Sequence, residues 1–196
     1  PYLILVYEFN FLGKKKNWIF VPTSLINAPF LETTFGFEVF LTKKLAKILT
    51  EAAKEGMHSP DIAFPERYQG IYKERRSSCG WQLYNAVGVV RGDREGSFKQ
   101  MMENYRFFGA PQVAIVSTPK ELGAYGALDC GAFVTAFTLA AQGHGVATIP
   151  QAAIAGMCSL VRKELSIGKD RDILCAISFG YEDKDHPANQ FRTARA

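Results

Sequence analysis

The sequence predicts one domain of the α+β or mixed α/β class, and three observations carry that expectation. Periodic and apolar segments follow one another in the order helix-helix-helix-strand-helix-strand-helix-strand. Residues 124–142 are apolar nearly all round, with Asp129 their single charge, as in a helix buried on more than one side. Residues 173–179 are continuously apolar, which fits a strand covered on both faces. A chain of 196 residues that is 47% hydrophobic can build a sizeable core, so we take residues 1–196 as a single domain with a divergent stretch at 1–40.

Residues 1–40 are rich in aromatic and apolar side chains but show no clean period beyond a short strand near 37–41. Leu45, Ile48, Leu49 and Ala52 then recur at helical spacing, and Gly56 ends that helix. Two prolines make residues 57–65 a loop. A second helix is expected over residues 67–87, closed by Gly88, and a third from an Asp93 cap to about residue 108. A Gly109-Ala110-Pro111 turn leads into a strand at 113–116. In the central helix, Ala127, Gly131 and Thr135 stack small groups at i, i+4 and i+8. That pattern suits a core helix, and equally one whose second face meets a partner subunit. A second strand at 146–149 runs into Pro150-Gln151, and Ile154, Met157, Cys158, Val161 and Leu165 mark one face of a fourth helix. The tail from Tyr181 is polar and reads as irregular.

Composition narrows the function. The net charge is +4, but between Asp61 and Arg106 eight basic and six acidic residues interleave, unlike the clustered charge of a nucleic-acid binder. No nucleic-acid or membrane partner is expected, since the opening apolar run from Tyr2 to Tyr7 is too short to span a bilayer. No basic residue precedes that run, as a signal peptide would need, and the chain begins at Pro1, so we expect the natural start to lie upstream. Cys79, Cys130, Cys158 and Cys175 form no C-x-x-C pair and read as reduced, mostly buried thiols of a cytoplasmic protein. His58, His144 and His186 lack metal-ligand spacing, so no metal site is expected. There is no G-x-S-x-G and no P-loop. Gly143-His144-Gly145 begins like a dinucleotide fingerprint, but Thr148 stands at the third glycine and the segment joins a helix to a strand. With no catalytic side chain in evidence, an enzyme of this sequence would draw its reactivity from a cofactor.

Five motifs in order give that cofactor a name by resemblance. They are Tyr105-Arg106-Phe107-Phe108-Gly109-Ala110-Pro111, Leu128-Asp129-Cys130-Gly131, Thr148-Ile149-Pro150-Gln151-Ala152-Ala153, Leu174 through Asp183, and Arg192-Thr193-Ala194-Arg195. Together with Arg75-Arg76 and Gly80-x-x-Leu83-Tyr84-x-Ala86, they resemble the FMN-dependent nitroreductase family, in particular its nitrobenzoate-reductase-like branch, over residues 43–196. The resemblance implies an α+β nitroreductase-like fold, with a central, mostly antiparallel sheet flanked by helices, in an obligate homodimer holding FMN at the subunit interface. It implies hydride transfer from NAD(P)H through FMN to a small-molecule electron acceptor, nitroaromatic or quinone-like, by a ping-pong sequence.

By the same resemblance, Gln151, Ala152 and Ala153 would present backbone N–H groups at flavin N5, while Pro150, which has no N–H to give, frames the contact. Proline would set the turn rigidly, and small side chains would let the ring approach. Asn104 and Arg106 would face the pyrimidine side of the flavin. Arg192 and Arg195 would reach the FMN phosphate through bidentate, charge-assisted hydrogen bonds. The opening segment departs from the family. Its usual R-S-x-R phosphate clamp is absent, because the first arginine is Arg67. Ala28-Pro29 and Thr34 keep register with the next family motif, but Thr33 replaces its Asn and Phe35-Gly36-Phe37 its Gln-Pro-Trp. Thr33 and Thr34 remain the expected flavin contacts there. Either the N-terminus is truncated or scrambled, or Lys14-Lys15-Lys16 stands in for the missing arginines. The alternative function is a vestigial flavin-binding dimer without turnover. A sibling oxidase or dehalogenase chemistry would need an inserted substrate loop, which residues 57–65 do not offer.

Overall fold

The computed structural model describes residues 42–193 throughout, and the backbone alone of residues 5–9, 17–21 and 35–36. The strand expected near 37–41, Lys14-Lys15-Lys16, Thr33, Thr34 and Arg195 lie outside the described residues.

A hairpin of β1 (Leu5–Phe9) and β2 (Asn17–Val21) precedes the two-residue strand β3 (Phe35–Gly36). Helices α1 (Thr42–Lys54), α2 (Gly70–Ala86) and α3 (Arg94–Met102) follow. The first two stop just short of Gly56 and Gly88, which adopt φ of 73° and 78°. Asp93 caps α3 as expected, its carboxylate accepting from the Gly96 N–H at 2.8 Å. The third helix is shorter than its pattern suggested. At Met102 it gives way to a 3-10 segment, Glu103–Gly109, because Phe107 and Phe108 turn left-handed at φ 55° and 51°. Strand β4 (Gln112–Pro119), helix α4 (Gly123–Gly143) and strand β5 (Ala147–Gln151) come next. A 3-10 turn at Ala152–Met157 leads into α5 (Cys158–Leu165), and β6 (Arg171–Gly180) precedes a largely irregular tail. The α+β class and the antiparallel sheet are as expected.

The sheet order is β3-β4-β6-β5, and every pairing in it is antiparallel. Strands β4 and β6 are therefore central, and their side chains divide two cores by alternation. Val113, Ile115, Ile173 and Ala176 join Leu45, Leu49, Phe107, Ile154 and Val161 on the α1–α5 side. Ala114, Val116, Ile177 and Phe179 meet Phe133 and Phe137 of α4 on the other. This two-sided cover is what the continuous apolar run of β6 encodes. A bulge opens between Val116 and Ser117, where Val116 pairs with Cys175 and Ser117 with Ile173, leaving Leu174 as the extra residue. Arg171 closes it, donating through Nε to Ser117 Oγ and through Nη2 to Ser117 O, each at 2.9 Å.

Helix α4 buries Gly126, Cys130, Phe133, Phe137 and Ala141, a stripe displaced from the small-residue stack. Gly131 and Thr135 face solvent, as do Tyr125 (79%), Leu128 (68%) and Leu139 (68%). Both faces of the helix are thus apolar and only one meets the sheet. By length and composition alone, Lys120–Gly143 could cross a bilayer. Its close contact falls at Gly126, where an added Cβ would come within 2.3 Å of Thr118 Oγ1 and 2.8 Å of Leu122 Cβ.

The loop at 57–65 is strapped to the core through Asp61. Its Oδ2 accepts from Arg162 Nη2 at 2.5 Å and from the Ile173 N–H at 2.8 Å. Arg162 also donates to the carbonyls of Gly168 and Arg171. Partial burial opposes ionisation of Asp61, but the Ile173 N–H and Arg162 outweigh it and hold the carboxyl below its ordinary value.

Two outcomes follow from this packing. Gly126→Val forces α4 off β4 and should lower stability by about 1–3 kcal/mol in chemical denaturation. Asp61→Asn should cost about 1–3 kcal/mol at pH 7. The native pKa of Asp61 is depressed, so its contribution is complete above about pH 4 and lost as pH falls through the native value. Denaturation curves of the two proteins should therefore converge in acid.

Candidate functional site

Polar chemistry collects where the end of β5 meets the 3-10 segment after α3. Strand β5 is an edge strand paired only with β6, so the missing N–H of Pro150 breaks no central ladder. Pro150 is exposed, whereas Gln151 beside it is 3% exposed and turns its side chain inward. Its Nε2 donates to the Asn104 carbonyl at 2.9 Å, and its Oε1 accepts from the Ser178 hydroxyl on β6. The amide therefore ties three segments together: β5, the central strand β6 and the turn carrying Asn104. With that side chain committed inward, the backbone of 150–153 is left beside small groups. Ala152 is exposed and Ala153 half-buried at the start of a 3-10 turn, whose first N–H groups have no partner within the turn.

Across that bond stand Asn104 and Arg106. Asn104 is half-buried and folds its Nδ2 back onto the Met101 carbonyl at 3.0 Å. Arg106 is exposed and pairs with Glu103 at 2.7 Å. Both precede the left-handed turn at Phe107 and Phe108, which continues through Gly109 at φ 75°. Two non-glycine residues in that region are costly, and the complete burial of Phe107 in the α1–α5 core is what holds them there.

Arg192 is not joined to this cluster. It sits on the tail, where Nη1 donates to the Asn189 and Phe191 carbonyls at 2.9 and 2.7 Å and Nη2 lies 3.8 Å from Glu182. The structure thus unites Asn104, Arg106 and 150–153 and leaves Arg192 apart.

Two contributors escaped sequence reasoning. Ser178 lies inside an apolar run, where nothing distinguishes a hydroxyl that anchors an amide from one that merely fits. The loop 57–65 braces the turn from behind: the Ser59 N–H donates to the Gly156 carbonyl at 2.8 Å, and Ser59 and Ser159 hydroxyls meet at 2.6 Å. Burial pushes the thiols of Cys158 and Cys175 up to about 11, so neither is a thiolate near neutral pH. Among the described residues all four cysteines are free, with Cys79 exposed. No group of three or more His, Cys, Asp or Glu among the described residues is placed to hold a metal ion.

Comparison with known proteins gives consistent relatives. The Nitroreductase family model matches residues 38–181, a span that includes the Asn104–Gln151 cluster and stops short of Arg192. Nitroreductase NfnB of Mycolicibacterium smegmatis is 36% identical over 154 residues, 78% of this chain and 65% of that protein. A 4-nitrobenzoate reductase of a Nocardioides species is 36% identical over 132 residues, 67% of this chain and 53% of its own length. This chain therefore spans between about half and two thirds of these relatives. A crystal structure of the FMN-dependent nitroreductase NfnB from Mycobacterium smegmatis in complex with NADPH superposes with a TM-score of 0.77 at 31% identity, covering 90% of this chain and 85% of that one.

The double anchoring of Gln151 sets an order of effects. Gln151→Leu strands the Asn104 carbonyl and the Ser178 hydroxyl and should lower stability by about 1–3 kcal/mol. Ser178→Ala removes one partner and should cost less, about 1 kcal/mol. Thermal melts of the two variants measure that ranking.

Proposed function

The chain belongs to the nitroreductase family, and from that premise we propose that it is an FMN-dependent oxidoreductase passing hydride from NAD(P)H to a nitroaromatic or quinone-like acceptor. The observation that carries this reading is the inward-locked Gln151, which leaves the backbone at 150–153 open beside Asn104.

The residues present fit a flavin. Exposed Pro150 and Ala152 offer no bulky side chain to hold off a planar ring, and the first N–H groups of the 3-10 turn are suitable donors to its N5 edge. Arg106 and Asn104 supply a cation and an amide to the pyrimidine side, where negative charge develops on reduction. Arg192, with Thr33, Thr34 and Arg195 outside the described residues, completes the set we assign to FMN, the two arginines toward its phosphate. When bound, FMN supplies the redox chemistry, taking hydride from the nicotinamide and giving it to the acceptor in a second half-reaction. The protein's part is to hold the ring, fix donors at its edge and let the two substrates occupy one place in turn. No side chain here is assigned as acid, base or nucleophile.

A second copy of the chain would complete the site. One surface motivates the homodimer, the outward face of α4 with Leu128 and Leu139. The reduced cysteines favour a cytoplasmic setting.

The visible spectrum tests the reading directly. Purified protein mixed with FMN should retain a yellow chromophore through gel filtration at the size of a dimer, and NADPH should bleach it under anaerobic conditions. Retention without bleaching identifies flavin binding without turnover; a colourless monomer ends the proposal. Arg192→Gln should weaken FMN binding about ten- to hundredfold, the loss of one charge-assisted contact. Its melting temperature without flavin should match wild type, because Arg192 is 77% exposed.

A further inference from the structure

Between α2 and the segment running from α3 to Phe108 lies an open cleft of about 880 Å³ that the flavin reading leaves unassigned except at Asn104. It is polarised along its length. One end carries Arg67, Lys73 and Arg76 against a single carboxylate, Glu66. All three cations are exposed, and among the described residues none of them has an ion-pair partner. Farther along α2 the cleft is lined by half-buried Trp81 and Tyr84, and its other wall includes half-buried Phe108 and Asn104. Gly80 lies between the two ends, where an added Cβ would meet nothing within 4 Å, so the cleft stays open over the helix backbone.

The cationic end is arranged for a phosphate. The Arg76 guanidinium carbon lies 5.3 Å from the centroid of the Tyr68 ring. That contact steadies the guanidinium while its edge N–H groups remain able to donate in plane, the geometry in which arginine takes a phosphate. Lys73 lies one turn back on the same helix and adds a mobile point charge. At 1.5 Å per residue, Lys73 and Arg76 stand about 12–17 Å along the axis from Tyr84. A single substituted ring with one carboxylate cannot reach from the aromatic end to that charge, whereas an extended dinucleotide can.

We propose that this cleft receives the adenosine end of NADPH, with Arg67, Lys73 and Arg76 holding the 2′-phosphate, so that the protein selects NADPH over NADH. The proposal rests on the oxidoreductase reading for the placement of the nicotinamide near Asn104, but not for the recognition of the phosphate. Binding can therefore be measured without flavin or turnover.

Isothermal titration of the purified chain with adenosine 2′,5′-bisphosphate and with 5′-AMP is the first arm. The bisphosphate should bind at least about tenfold more tightly, as one or two charge-assisted hydrogen bonds would give. The double variant Lys73→Met, Arg76→Met should erase most of that difference. In the FMN-loaded enzyme the same variant should lower the ratio of kcat/KM for NADPH to that for NADH by about tenfold or more. Equal binding of the two nucleotides by wild type overturns the proposal, as does a folded double variant with an unchanged ratio. Displacement by benzoate but not by the bisphosphate also overturns it and marks the cleft as an acceptor site. If the double variant does not fold, the wild-type nucleotide comparison decides alone. Nucleotide discrimination in a protein that binds no flavin would uphold this cleft and defeat the oxidoreductase reading. Equal bleaching by both nicotinamides, with equal nucleotide binding, would do the reverse.

Discussion

An amide buried to 3% exposure must find its hydrogen-bond partners inside the protein, and for Gln151 those partners belong to two other elements. Ser178 fixes the oxygen from the middle of the sheet, and the Asn104 carbonyl then takes the Nε2 donor. The consequence is positional. An edge strand with proline as its penultimate residue would otherwise be free to drift, yet here its last residue is pinned to a central strand of the sheet and to the turn bearing Arg106. The open backbone at 150–153 and the polar side chains opposite are parts of one rigid arrangement, because the same side chain holds both.

The turn on the far side of that bond is held by packing. Consecutive left-handed residues at Phe107 and Phe108 carry a backbone cost of about 1–3 kcal/mol each. Burying the Phe107 ring among Leu45, Leu49 and Ile154 repays that cost, since a fully buried aromatic contributes a comparable or larger gain. Strain and burial are coupled at one residue, so the turn that follows Arg106 is held by the core beneath it.

The rest of the surface is organised by what the fold leaves uncovered. Helix α4 is apolar around its circumference, but a single sheet can cover only one side, so Leu128 and Leu139 remain outside. Helix α2 buries none of its residues and forms one wall of the basic and aromatic cleft. A homodimer and a nucleotide are the proposed occupants of these two surfaces, and they differ in chemistry as the surfaces do: aliphatic on α4, cationic and aromatic on α2.

Much of this was legible in the chain. Helical spacing in 45–52, the Asp93 cap and the apolar run of β6 are local signals, decided by periodicity and capping, and each stands in the structure where its pattern placed it, whereas the second strand runs past its expected end at 149 to take in Pro150 and Gln151. The family, too, could be read from five short motifs in order. The end of α3 could not, because the left-handed turn at Phe107 is stabilised by residues more than forty positions away in sequence. Nor could the roles of Ser178 and Asp61, whose partners lie 27 and 101 residues distant. Which stripe of α4 meets the sheet was not legible for the same reason: a helix apolar on every side carries no period to say which face turns inward, and the close approach of Gly126 to Thr118 decides it. Local chemistry determined which elements form; which side chains face one another was settled by long-range packing, since a hydrogen bond or a contact belongs to a pair and the sequence shows its members one at a time.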